Sequence, residues 1–409
     1  MMAASAAIVT VGTEITTGLR LDTNTREIAA ALMGAGYDTG ETASLPDDPA
    51  LVTTCLRRLV AAYDLVVVTG GLGPTHDDIT REAASEALGL PMSADPGIAH
   101  GLARWVQRHT EHHAREQVLR QALVLQGAEV LAATVGTAPG QVVHTPSGGR
   151  LVLLPGPPNE MRPMLQELLA HEVQGSSTVV EIACTGISES DAQVVTQAAL
   201  AEHPGVRLTI LASPADVHVV LFDDGAGKEG VLRAAESVRD VLVPYWYSDD
   251  GTSLASVVIH AAQALGTTIA VAESCTGGLV AASLSSVPGA SSAFRGGTVA
   301  YSNEVKTTQL DVPEALIAEH GAVSGQVASA MARGVLQRLD ADVSVAITGI
   351  AGPDGGSADK PVGTVWFSVA DASGEMPVMR QMIGDRDGIR TRATMFALNL
   401  LRLKIAGHE

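Results

Sequence analysis

The chain is poor in several residue types at once. Its 409 residues hold three cysteines, four phenylalanines, five tyrosines, three tryptophans and four lysines. Cys55, Cys184 and Cys275 are far apart, odd in number and form no CxxC pair, which argues against a disulfide framework and a zinc knuckle. No stretch approaches the roughly 18 consecutive apolar residues of a membrane span. The opening MMAASAAIVTVGTE lacks a basic n-region and runs into a strand-like segment, so a cytoplasmic protein without a membrane partner is expected. Basic charge is scarce too: 26 Lys and Arg stand against 45 Asp and Glu, a net charge of -19. Polyanions are bound through counterion release at basic surfaces, so no nucleic-acid partner is expected. A local pocket for a small phosphate ligand stays open.

Apolar residues make up 46% of the chain and charged ones 17%, which excludes intrinsic disorder. The length implies two or three domains. Residues 6–12 and 64–70 are apolar runs ending in Gly, as buried parallel strands do. Helical spacing over 24–35 and 50–62 alternates with them, and a strand at 150–156 leads into a helix through Met161, Leu165 and Leu169. The pattern predicts an α/β fold with a doubly wound sheet over residues 1–173. Residues 174–250 read as a small α+β unit, with a strand at 177–185, a helix at 189–203, a strand pair at 206–223 and a helix at 228–242. Residues 251–409 read as a second α/β domain. Its helices fall at 252–265 and 388–404, with strands at 267–272, 297–302, 343–349 and 364–370.

Two Gly-rich turns carry most of the chemistry. In GGLGPTHDDITRE (70–82) a strand opens into a helix, where backbone amides and the helix N-terminus favour an anion. Asp77 and Asp78 either hold a hard divalent cation against a diphosphate or act as N-caps. In AVAESCTGGLVAA (270–282) Ser274 stands where a strand ends and Thr276, Gly277 and Gly278 open a helix. That placement exposes a nucleophile beside backbone amides, or else makes Ser274 a simple cap. VAYSNEVK (299–306) adds Tyr301 and Lys306, and a buried lysine with a lowered pKa can deprotonate a serine. Thr348 and Gly349 open another Gly-rich loop, while Arg386 and Arg390 suit a phosphate fork. Cys275 is the competing nucleophile, but no His lies nearby to activate it. His109, His112 and His113 offer a helical metal pair without a HExxH frame, and a solvated face is the preferred reading.

GTEITTG (12–18), LDTNT (21–25), the 70–82 string, GTAPG (136–140) and LPGPPNEM (154–161) together resemble the N-terminal, molybdopterin-binding-like domain of the CinA family. Residues 100–125 depart from that family's wording. By residue match the resemblance implies a diphosphate or nucleotide site at Glu14, Asn24, Gly70, Gly71 and Gly73. Asp77, Asp78, Gly156 and Glu160 complete it, with Asp77 and Asp78 on a divalent metal (Mg²⁺ or a transition metal). In some members this domain hydrolyses ADP-ribose to AMP and ribose 5-phosphate.

Residues 252–404 resemble the CinA C-terminal domain, also found alone as nicotinamide-nucleotide amidohydrolase. The activity implied is deamidation of nicotinamide mononucleotide, with no cofactor. Ser274 would be nucleophile, Lys306 its base and Tyr301 a proton relay. Thr276, Gly277, Thr348 and Gly349 would hold substrate, and Arg386 or Arg390 its phosphate. The middle unit resembles the family's KH-like linker. It carries twelve acidic against four basic residues, so a structural or dimer-forming role is expected over RNA binding. A homodimer is implied by resemblance alone. The rival reading is a nucleotide- or pterin-binding scaffold in competence or DNA repair, with one or both sites inactive.

Overall fold

A computed structural model describes residues 4–109, 115–170, 178–243 and 245–407. The chain divides into two compact units, Met1–Ser177 and Thr178–Glu409.

In the first unit the strands are β1 (Ala4–Val11), β2 (Tyr37–Leu45), β3 (Leu65–Thr69), β4 (Met92–Ala94), β5 (Leu123–Leu125), β6 (Glu129–Leu131), β7 (Gly140–His144) and β8 (Arg150–Leu154). Six of them form one sheet in the order β2-β1-β3-β8-β7-β6. The first four run parallel, and β7 and β6 add antiparallel edges. Successive side chains of a strand point to opposite faces. Ala6, Ile8, Leu65 and Val67 therefore pack on one side with Ile28, Leu32, Met161 and Met164, from helices Asn24–Gly34 and Pro158–Leu169. Ala7, Val9, Val66 and Val68 pack on the other with Val52, Leu56, Leu59 and Ala83, from helices Pro49–Ala62 and Thr80–Leu88. Both faces are covered, which is why these strands read as unbroken apolar runs. The divergent stretch 100–125 builds helices Pro96–His109 and Arg115–Leu119, which share a small core of Leu102, Val106, Val118 and Ala122.

The second unit begins with β9 (Val179–Cys184), β10 (Val206–Ser213), β11 (Asp216–Asp223) and β12 (Trp246–Ser248). Their order is β10-β11-β9-β12, with every neighbouring pair antiparallel. Helices Glu189–Leu200 and Gly227–Leu242 connect and cover them. This β-α-β-β-α-β order is a split β-α-β unit. Ala183 and Tyr247 join the core of the C-terminal domain, so the middle segment packs directly against that domain.

The C-terminal domain holds β13 (Ile269–Glu273), β14 (Phe294–Val299), β15 (Val343–Gly349), β16 (Thr364–Asp371) and β17 (Gly374–Gln381), ordered β14-β13-β15-β16-β17. β14, β13 and β15 are parallel, and β16 and β17 antiparallel. Val271, Val345 and Ile347 face helices Leu254–Leu265 and Arg386–Ile405. Ala270, Ala272 and Ala346 face Met331 and Val335 of helix Gly325–Arg338. Small residues bring that helix in closely: a Cβ on Gly334 would lie 2.0 Å from the Leu310 carbonyl oxygen. Gly334 thus seats the end of helix Asn303–Leu310, which carries Lys306.

Candidate active site

β13 delivers Ser274 to the carboxyl edge of the second unit's parallel strands. The Ser274 N–H donates to the Ile347 carbonyl on neighbouring β15 at 2.9 Å. The chain then turns through Gly277 and Gly278, at φ 65° and 101°, a region that favours glycine. Ser302 caps helix Asn303–Leu310, accepting from Val305 N–H at 3.2 Å, and so places Lys306 in the helix's first turns. Lys306 is 1% exposed and Ser274 8% exposed. Lys306 Nζ lies 3.1 Å from Ser274 Oγ and donates to the carbonyls of Ala300 at 2.8 Å and Tyr301 at 3.4 Å.

Among the described residues no carboxylate pairs with this ammonium. By contrast Lys404 meets Asp371 at 2.8 Å, and Lys360 is spent on the carbonyls of His320 and Val323. Burial pushes Lys306 below the ordinary lysine value, and the positive end of its helix works in the same direction. A neutral amine has two N–H donors and one lone pair. Two carbonyls and one hydroxyl are the partners such an amine needs.

The arginines close the other side. Arg390 donates to the Thr276 carbonyl at 3.1 Å and pairs with Asp387 at 3.3 Å. Arg386 donates to the Gly352 carbonyl at 2.6 Å and to Tyr301 Oη at 2.8 Å. Tyr301 is 59% exposed, and its hydroxyl lies on Arg386, so it serves Lys306 through its carbonyl. Thr276 is buried, and its Oγ1 has no hydrogen-bond partner. Thr348 directs its hydroxyl away, donating to the Ala322 carbonyl at 2.8 Å. Gly349 packs against β16, where a Cβ would meet Val365 Cγ2 at 2.8 Å. Burial pushes the Cys275 thiol up to about 12, which leaves it protonated and inert at neutral pH.

In the first unit the glycines at the ends of β1, β3 and β8 converge. The order β2-β1-β3 makes β1/β3 the switch point, where ligands of such sheets bind. A Cβ on Gly70 would meet the Val11 carbonyl oxygen at 2.1 Å, and one on Gly156 would lie 3.4 Å from Gly70 Cα. Asn24 bridges them, donating to Thr69 Oγ1 at 2.9 Å and to the Gly156 carbonyl at 2.8 Å. A Cβ on Gly71 would strike Thr80 Oγ1 at 2.2 Å. Glu160 lies against Gly136, where a Cβ would fall 2.2 Å from its carboxyl group, and burial raises its pKa. Glu14 is exposed and folds back over Gly12.

Asp78 turns inward to its own loop, accepting from Gly73 N–H, Thr75 N–H and Thr75 Oγ1, each at 2.7 Å. Asp77 shares the single Thr75 hydroxyl proton with Asp78, and that hydroxyl holds the Asp77 carboxyl below the usual range. One carboxylate committed to its loop and one exposed beside it do not make a resident metal site. Among the described residues no group of three or more His, Cys, Asp and Glu side chains is arranged to hold a metal ion. His112 and His113 lie outside the described residues.

These geometries can be set beside known proteins. Residues 251–405 match the CinA C-terminal domain and residues 7–175 the probable molybdopterin binding domain. The chain is 38% identical to a putative competence-damage inducible protein of Symbiobacterium thermophilum, over 98% of this chain and 99% of that one. The chain belongs to the CinA family. CinA-like proteins of Koribacter versatilis and Akkermansia muciniphila are 38% and 39% identical, over 98% and 96% of the chain.

Sequence reasoning missed two buried ionic groups beside the family's Gly-rich turns. Arg81 is almost fully buried and donates to the carbonyls of Leu72 at 2.6 Å and Gly73 at 3.1 Å. Glu273 is fully buried directly before Ser274. Each lies inside a Gly-rich motif, and the signal was an ionisable residue at a position that ends or adjoins an apolar or Gly-rich run.

Proposed function

We propose that the second unit is a serine–lysine amidohydrolase acting on nicotinamide mononucleotide. The observation that carries this is the buried Lys306 Nζ lying 3.1 Å from Ser274 Oγ with no carboxylate partner among the described residues. Neutral Lys306 keeps its two N–H groups on Ala300 and Tyr301 and takes the Ser274 proton through its lone pair. Ser274 Oγ forms a bond to the carboxamide carbon. As the C–N bond breaks, the proton passes from Lys306 to the departing nitrogen, and ammonia leaves. Water, deprotonated by the same amine, then cleaves the ester to release nicotinate mononucleotide and restore Ser274. No cofactor enters. Arg390, which touches the nucleophile's turn, is assigned the substrate phosphate. Arg386 holds Tyr301 and the 350–354 loop.

The first unit is assigned a nucleoside diphosphate such as ADP-ribose, on the strength of the glycine-lined switch point bridged by Asn24. Asp77 and Asp78 do not fit a resident metal, so no step is routed through one. Both ligands are small molecules, and no nucleic-acid partner is invoked.

Ammonia release from nicotinamide mononucleotide, compared among wild type, Ser274→Ala and Lys306→Ala, tests the central assignment. Unchanged turnover in both variants would overturn it. For the first unit, calorimetric titration with ADP-ribose is the check, and absence of binding removes that assignment alone.

A further inference from the structure

Glu273 ends β13, and its side chain is 0% exposed. One carboxylate oxygen accepts from Gly278 N–H at 2.9 Å and Val280 N–H at 3.2 Å, and the other from Ala281 N–H at 2.8 Å. The side chain thus loops over the whole Ser274–Gly278 turn and ties its far end back to the strand it left. The Glu273 carbonyl accepts from Ala300 N–H at 2.7 Å, and the Ala300 carbonyl in turn accepts from Lys306 Nζ at 2.8 Å. One residue therefore anchors the nucleophile's turn through its side chain and the lysine's seat through its main chain.

The same contacts decide where an anion can go. The first amides after a Gly-rich strand-to-helix turn are the ordinary seat for a ligand phosphate. Here Glu273 fills that seat with a carboxylate of the chain's own. A substrate phosphate brought there would meet like charge and would have to displace three hydrogen bonds. Gly277 N–H is also spent, on the Ser274 carbonyl at 3.1 Å.

We propose that Glu273 is a positioning residue that fixes the Ser274–Lys306 geometry and, by occupying the amide seat of its turn, confines the site to substrates whose anionic group reaches the Arg390 side instead. The proposal rests on the serine–lysine reading and adds a division of labour to it. Glu273 governs the chemical step, and Arg390 governs binding of the phosphate.

The test uses the full chain with three variants, Glu273→Gln, Glu273→Asp and Arg390→Ala. Kinetics with nicotinamide mononucleotide are combined with the rate at which a fluorophosphonate, a serine-directed probe, labels Ser274. Gln keeps the size of the side chain but sets an amide N–H₂ against backbone N–H donors. Its expected effect is a kcat lower by about 10²-fold, the scale of a roughly 1 Å misplacement, with KM nearly unchanged and labelling slowed in parallel. Arg390→Ala shows the opposite split, with KM raised by a larger factor than kcat or labelling is lowered. Melting temperature identifies a variant that has failed to fold, and Glu273→Asp, which keeps the charge on a shorter arm, then replaces Gln. A folded variant at position 273 with wild-type kcat and labelling overturns the proposal, as does a change confined to KM. A wild type that neither releases ammonia nor takes up the probe overturns the serine–lysine reading itself.

Discussion

The two Gly-rich turns look alike in sequence and differ in what their polar groups have left to do. Both come after a buried parallel strand and open a helix, and both enclose a buried ion. At 70–80 the ion is Arg81, which takes up the carbonyls of Leu72 and Gly73, while Asp78 takes up the amides of Gly73 and Thr75. At 273–279 the ion is Glu273, which takes up amides, and the remaining ionisable group, Lys306, is left facing a hydroxyl. A Gly-rich turn is therefore not a site in itself. What sets the second turn apart is that Lys306, with no carboxylate partner among the described residues and its pKa lowered by burial, faces a hydroxyl that a neutral amine could deprotonate.

Breaking the second turn should cost most. Removing either Ser274 or Lys306 is expected to lower kcat for ammonia release by at least about 10³-fold, the scale seen when one member of a catalytic pair is lost. The pH profile sharpens the same point. The competent amine is neutral, so kcat/KM climbs as pH rises through the Lys306 pKa. Burial sets that climb below the ordinary lysine value of about 10.4. The depressed value also means that the unfolded chain binds more protons between the two pKa values. Lys306 therefore adds stability as pH rises through that window.

The first turn should respond in stability before function. Arg81→Met leaves two carbonyls without their buried donor, a loss of about 1–3 kcal/mol each if neither is resolvated. The denaturant midpoint should fall, and ADP-ribose affinity with it, while ammonia release stays at the wild-type level. Loss of ammonia release in Arg81→Met would break the comparison.

A smaller effect belongs to the middle segment, where an ion is fully paired. His218 meets Asp216 at 3.1 Å and Glu181 at 2.6 Å, and Asp216 above all raises it to about 9. A raised folded pKa stabilises fully below the unfolded value of about 6.5 and loses that contribution as pH climbs through about 9. Unfolding free energies from denaturant titrations at pH 6 and pH 9 should differ by on the order of 2 kcal/mol in wild type. That difference should largely vanish in His218→Gln.

Much of the fold and of the site was legible in the sequence. β1, β3, β13 and β15 are continuous apolar runs because sheets covered on both faces leave no polar side to alternate with. The edge strands β2 and β17 were not legible, since an edge strand carries polar residues and leaves no continuous apolar run. Ser274 and Lys306 stood out as a serine on a Gly-rich turn and one of only four lysines. Nothing in VAYSNEVK reveals that the Tyr301 hydroxyl accepts from Arg386, 85 residues on.

By itself the sequence determined the acidic balance, the strand–turn–helix positions and the candidate nucleophile and base, all of which are local in the chain. The tertiary structure decided which of those groups remain free. Whether an amide, hydroxyl or amine is spent depends on partners brought in from other segments: Ala322 for Thr348, Arg386 for Tyr301, Ala300 for Lys306. Reactivity here is what hydrogen bonding leaves unsatisfied, and that balance is struck only once the chain has packed.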